Sequence, residues 1–144
     1  MSDHNSQYVF VKNFYLIGVK IILENKNGEI LLLKRSSKVP RTHSWDLPGG
    51  AVDASEAPEQ AIIRELLEET GITITNPQLC TSHLNTAHED DAIILGFFAK
   101  IEQADVVLSW EHEAYEWMTP ERLVGIDLPD IYAEMIINHA KRAQ

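Results

Sequence analysis

GAVDASEAPEQAIIRELLEETGI, residues 50–72, is the stretch on which the reading of the fold turns. Pro58 to Thr70 reads as a helix. Pro58 suits a first turn, where its missing N–H loses no intrahelical bond, and it pushes Ala57 toward the extended cap conformation. Ala57 is itself a weak cap residue. Gly71 suits a left-handed closure. Wound at about 100° per residue, the helix gathers Ile62, Ile63, Leu66 and Leu67 on one side and Arg64, Glu65, Glu68 and Glu69 on the other.

Residues three and four apart are neighbours on a helix, so Glu65 faces both Glu68 and Glu69. Three carboxylates so placed repel one another, and they sit in the C-terminal half, where the helix dipole disfavours negative charge. Arg64 offsets part of that repulsion, and a hard divalent cation would offset the rest. Magnesium takes oxygen ligands, keeps several waters and needs only a few carboxylates plus a substrate phosphate. The plain alternative is a solvated acidic face.

Working outward, Tyr15 to Glu24 and Glu29 to Leu33 are rich in Ile, Leu and Val and are joined by Asn25-Lys26-Asn27-Gly28, the pattern of a β-hairpin. Lys34 to His43 then turns basic and irregular, with Lys34, Arg35, Lys38, Pro40 and Arg41. Trp45-Asp46-Leu47 reads as a short strand ending at Pro48-Gly49-Gly50. Beyond the helix, strands are expected at Ile72 to Thr75, Ala92 to Ile101 and Val106 to Trp110, followed by a short helix at Pro120 to Leu123 and a last one from Asp130 to about Lys141. This mixture predicts an α/β sandwich. A chain of 144 residues fits one domain, expected over residues 1–144, with room for a sizeable core.

Twelve basic against 22 acidic residues give a net charge of -10. Binding along a nucleic-acid polymer needs clustered Lys and Arg, so no such partner is expected. A small phosphorylated substrate remains compatible, because a bound cation inverts the local field. The single cysteine, Cys80, cannot pair internally, no Cys/His spacing suggests zinc, and a small buried apolar role is expected for it. Met1 to Gln7 is polar and lacks a signal-peptide core. Tyr15 to Leu23 is interrupted by Lys20 and too short to span a membrane, so the expectation is a soluble cytoplasmic protein without a membrane partner.

One longer pattern adds to this. Gly50, five residues, Glu56, seven residues, then Arg64-Glu65-Leu66-Leu67-Glu68-Glu69-Thr70-Gly71-Ile72 resembles the signature box of the Nudix hydrolase family, with every specified position filled. Leu31 to Arg35, Trp45 to Gly50 and Trp117 to Glu121 resemble segments that relatives carry in the same places. The resemblance implies a Nudix-type α/β/α sandwich with a mixed sheet and the box, residues 50–72, as loop–helix–loop. It implies a MutT-like enzyme that splits the diphosphate linkage of a nucleoside diphosphate joined to another moiety, with Mg2+, or Mn2+ in its place. Carried over by position, Glu65, Glu68 and Glu69 are the implied metal carboxylates, Glu56 supports them through water or Arg64, and the Gly50 carbonyl is a further ligand. Catalytic roles fall to Glu65, Glu68, Arg64 and a glutamate near Trp117, either Glu111 or Glu113. Arg35, with Lys38 and Arg41 as weaker candidates, matches a phosphate-binding position.

The chemistry fits those residue types. A metal polarises phosphoryl oxygens and lowers the pKa of water, while the protein positions charge. Arg64 can fork two hydrogen bonds onto a neighbouring carboxylate. Trp45 or Phe10 could stack on a base, although aromatics more often serve the core. His43-Ser44 replaces a glycine-bearing segment common in relatives, the stretch Leu79 to Asp91 lacks the proline of ADP-ribose-cleaving relatives, and the tyrosine of dinucleoside-polyphosphate enzymes is missing nearby. Among family substrates these departures favour nucleoside triphosphates, oxidised ones included. A homodimer stays open.

Overall fold

The computed structural model of the chain describes residues 12–40, 43–86, 91–102 and 104–142. Among them seven strands form one mixed sheet: β1 (Leu16–Glu24), β2 (Ile30–Arg35), β3 (Trp45–Asp46), β4 (Gly49–Ala51), β5 (Gln78–Asn85), β6 (Ala92–Lys100) and β7 (His112–Met118). Two α-helices, α1 (Pro58–Thr70) and α2 (Asp130–Arg142), and a 3-10 turn at Pro120–Leu123 accompany it. The strand order is β3-β2-β1-β6-β5, with β4 on β1 and β7 on β2.

The hairpin expected at Asn25–Gly28 forms. Asn25 Oδ1 accepts the N–H groups of Asn27 and Glu29, and Gly28 takes the left-handed conformation at φ 75°. The two strands meet only at Glu24 and Ile30 and then part. β1 runs parallel to β6 over its whole length, from Leu16 opposite Ala92 to Glu24 opposite Lys100. Its other edge is left for β4, where Lys20 pairs with Gly49 and Val19 with Gly50.

Alternation along the strands divides the core in two. Val19, Ile21, Leu23, Leu31, Leu33 and Phe97 pack with Ala61, Ile62 and Leu66 of α1. Ile22, Ile30, Leu32 and Ile94 pack with Tyr132, Met135 and Ile136 of α2. Helices on both faces make the α/β/α sandwich that the sequence implied. Among the described residues no helix is long and apolar enough to cross a membrane.

Two expected strands do not exist. Ile72 and Ile74 are buried against the α1 face while their neighbours are exposed, so the alternation is real, but the segment joins no ladder. Residues 106–110 instead strap the end of α1: Val107 N–H donates to Thr70 O at 2.9 Å and Ser109 N–H to Glu69 O at 3.2 Å, satisfying carbonyls a helix end leaves free. The strands the sequence reading missed are β4, β5 and β7. Cys80 on β5 is half-buried, with Sγ directed at Gly96 O at 3.2 Å, rather than a core residue.

Candidate active site

The helix start resolves as Pro58 dictated, with Ala57 extended at φ -74° and ψ 148°. Ala57 supplies no side-chain cap, and Gln60 compensates by accepting the Ala57 N–H at 3.0 Å. Gly71 closes the helix at φ 72°, its N–H on Leu67 O. α1 is thereby fixed in rotation, and its faces differ from the simple division in one respect. Leu67 is 48% exposed, whereas Glu69 is 4% exposed and belongs to the buried stripe. Glu69 lies seven residues past Ile62, within about 20° of it on an ideal helix, so burial of Ile62 carries Glu69 inward.

Opposite the helix runs the Pro48-Gly49-Gly50 strand. Gly49 has φ 145°, and a Cβ there would lie 1.9 Å from Val19 O, so only glycine fits. Its N–H donates to Glu69 Oε1 at 2.7 Å. At Gly50 a Cβ would meet the Glu65 carboxylate at 2.5–2.7 Å, so the absent side chain is the space that carboxylate occupies.

Arg64 organises the remaining acids. Nε and Nη2 donate to the two oxygens of Glu56 at 2.8 and 2.9 Å, Nη2 also reaches Ala51 O at 3.0 Å, and Nη1 donates to Glu65 Oε1 at 3.0 Å and Glu68 Oε2 at 3.3 Å. The Arg64 fork, helped by the Asp53 N–H, holds the Glu56 carboxyl down to about 2. Burial pushes Glu65 up against the pull of Arg64, with Glu68 and Glu111 adding to the rise. Burial pushes Glu69 further, to about 8, although Lys20 and the Gly49 N–H pull it down. A carboxylate that costly to ionise is one a cation would stabilise.

The implied divalent ion can be tested against these residues. Among the described residues no three acidic, histidine or cysteine side chains converge as a ready-made ligand set. Donor chemistry and placement nonetheless fit. Glu65 is cradled over Gly50, Glu69 faces the same strand, and Glu68 has a side chain 58% exposed, free to turn away from Arg64 toward them. All the donors are hard oxygens.

A buried ionic hub, unforeseen from the sequence, lies beside this cluster. Lys20 Nζ, on the α2 side of β1, donates to Asp46 Oδ2 at 2.8 Å and Leu47 O at 3.1 Å, 5.4 Å from the centre of the Tyr132 ring. Burial alone would lower the Lys20 pKa, but Asp46, Tyr132 and Glu69 outweigh it and the ammonium stays charged. Arg35 also donates to Asp46 Oδ2, so this phosphate candidate points into the hub. Lys38 is exposed in the following turn, and Arg41 and Phe10 lie outside the described residues. Trp45 is half-buried against the α2-side core. Of the two β7-side glutamates, Glu113 is exposed and pairs with Lys34 at 3.5 Å, while Glu111 acts electrostatically on Glu65. His112 between them is buried beside Glu69. The one available signal for Lys20 was a lone charge in an apolar strand.

A mixed sheet between two helices, with a glutamate-rich helix facing a Gly-Gly strand, matches the arrangement that the Nudix box implied, that of the pyrophosphate-cleaving class of hydrolases. The chain belongs to the NUDIX domain family, whose sequence model matches residues 14–138, and within it to the MutT-like pyrophosphohydrolases acting on acid anhydrides. It is 34% identical over 116 residues to the 8-oxo-dGTP diphosphatase of Escherichia coli K12, covering 76% of this chain and 81% of that protein. It is 29% identical over 133 residues to the CTP pyrophosphohydrolase of the same organism, covering 89% and 98%. The crystal structure of the MutT protein from Methanosarcina mazei Go1 superposes with a TM-score of 0.81 at 32% identity, covering 94% of this chain and 99% of that one.

Proposed function

We propose that the protein is a Mg2+-dependent hydrolase, Mn2+ serving as a substitute, that cleaves a nucleoside triphosphate, an oxidised one included, by water attack at phosphorus. One observation carries the reading: Glu65 and Glu69 of a single helix turn face the Gly49–Gly50 strand, with Glu68 and the Arg64 fork at their side. Similarity to proteins named for 8-oxo-dGTP and CTP supports a triphosphate.

Glu65, Glu68, Glu69 and the Gly50 carbonyl would hold the ion, with Glu56 supporting them through Arg64. When bound, it supplies charge neutralisation at phosphoryl oxygens and a lowered pKa for water. Arg64 fixes Glu56 and Glu65 as a fork that a lysine could not reproduce. Arg35, Lys38 and Arg41 supply positive charge for the polyphosphate, Arg35 by leaving Asp46. Glu111, just past the strap and near enough to Glu65 to act on its charge, would take a proton from the attacking water, Glu113 being engaged with Lys34. Residues 1–144 act as one cytoplasmic domain whose partner is a small nucleotide; a second copy as partner belongs to the same reading.

A product-resolved screen with Mg2+ over nucleoside triphosphates, 8-oxo-dGTP, nucleotide sugars, ADP-ribose and dinucleoside polyphosphates tests this. Monophosphate and pyrophosphate from a triphosphate are expected. Turnover confined to the other arms would replace the substrate, and tight nucleotide binding without products would make the protein a sensor.

A further inference from the structure

We propose that His112 is a positioning residue for the Glu69 carboxylate, holding its second oxygen so that Glu69 meets a divalent cation in one orientation. The inference rests on the reading of Glu69 as a metal ligand. Oε1 of Glu69 is fixed by the Gly49 N–H at 2.7 Å. Oε2 faces His112 Nε2 at 3.5 Å, within a few tenths of an ångström of hydrogen-bond length. Both residues are buried, and among the described residues the other ring nitrogen, Nδ1, has no hydrogen-bond partner, so the polar contact of the ring found there is the one to Glu69.

The backbone is built to deliver this contact. β2 and β7 pair regularly from Ile30–Met118 to Lys34–Ala114, and then Arg35 falls opposite His112, leaving Glu113 as an extra residue. Without that bulge Glu113 would take the inward position and His112 would point to the opposite face, because a one-residue slip exchanges faces. The bulge turns the imidazole inward and leaves Glu113 outside on Lys34. The strap also ties the two residues through the main chain: His112 N–H donates to Ser109 O at 3.2 Å, and Ser109 N–H donates to Glu69 O at 3.2 Å. A ligating carboxylate held by the Gly49 N–H on one oxygen and flanked by His112 at 3.5 Å on the other loses less orientational freedom when an ion arrives, the general use of outer-shell partners.

The test is Mn2+ binding to the free protein, read from the EPR signal of unbound Mn2+, in wild type, Glu69→Gln, His112→Leu and His112→Gln. Leucine fills the volume without a donor, and glutamine restores one. The expected result is a loss of about 10–100-fold in His112→Leu, the usual cost of removing an outer-shell partner, with His112→Gln within about threefold of wild type. Should His112→Leu fail to fold, His112→Met replaces it as the donor-free variant. Wild-type affinity in the donor-free variant, or an equal loss in His112→Gln, overturns the proposal while Glu69→Gln still weakens binding. Unchanged Mn2+ binding in Glu69→Gln overturns the metal reading itself, and the role of His112 with it.

Discussion

Arg64 and Glu56 form a two-pronged ion pair across the box, Nε to Oε2 at 2.8 Å and Nη2 to Oε1 at 2.9 Å, although they stand eight positions apart. The pair pins the loop before α1 to the acidic face of the helix and leaves Nη1 for Glu65 and Glu68. Lysine keeps the charge but offers no fork. Arg64→Lys is therefore expected to lower kcat about 10–100-fold with little change in the melting midpoint, the range typical of lost ligand-orienting partners. Steady-state kinetics beside thermal melting checks this, and wild-type kcat would dismiss the clamp.

The two glycines of β4 differ in what a methyl group meets. At Gly49 it meets the Val19 backbone at 1.9 Å in a strained conformation, and at Gly50 the end of the Glu65 side chain at 2.5 Å. Gly49→Ala is expected to prevent folding. Gly50→Ala is expected to fold, with stability within about 1 kcal/mol of wild type because a flexible side chain can move aside. Its activity should fall at least about tenfold as Glu65 is displaced. Circular dichroism and turnover on both proteins separate the two effects.

Lys20 and Asp46 form a buried pair at 2.8 Å, and among the described residues Asp46 Oδ1 has no hydrogen-bond partner. Removing the ammonium leaves Asp46 with Arg35 alone. Breaking a buried pair costs about 3–5 kcal/mol, and the remaining guanidinium puts Lys20→Met near the lower end, about 3 kcal/mol. Urea unfolding measures it; a loss below about 1 kcal/mol would show that the pair is not a structural hub.

Glu69 gives the pH dependence a definite sign. Its folded pKa, about 8, exceeds the ordinary value of 4.5, so between those limits the folded state holds more protons than the unfolded chain. Stability contributed by the protonated carboxyl is complete below pH 4.5 and is lost as pH rises toward 8, at up to about 1.4 kcal/mol per pH unit. His112, lowered by burial, contributes the opposite slope near its ordinary 6.5. The difference between wild type and Glu69→Gln isolates the glutamate. In the metal-free protein that difference should fall from pH 5 to 8, and saturating Mg2+ should flatten it; a flat difference without metal contradicts the assignment.

How much of this was legible in the sequence follows from what each residue depends on. The box is local: helix spacing places Glu65, Glu68 and Arg64 together wherever the helix packs, so α1 and most of its acidic cluster could be read directly. Which carboxylate turns inward depends on the packing angle, and Glu69 went to the core with Ile62 and Leu66. β5, QLCTSHLN, is an edge strand with few large apolar residues, and β7, HEAYEWM, carries Glu113 exposed and Glu116 half-buried, with a bulge breaking its period. Ile72 and Ile74 show the reverse error, strand-like burial with no neighbouring strand. Lys20 and Asp46 stand 26 residues apart, and Glu69 and His112 meet only because β7 folds back on β2. Contacts made by topology leave no spacing to read.

Turnover of a nucleoside triphosphate followed by 31P NMR, with and without Mg2+, in wild type and Glu68→Gln tests whether the carboxylates of α1 hold a catalytic cation. Release of pyrophosphate by wild type is expected only when Mg2+ is present, with a loss in a folded Glu68→Gln protein greater than the roughly 100-fold upper range for outer-shell residues. Equal rates in the two proteins, or hydrolysis indifferent to chelation of Mg2+, would contradict that role.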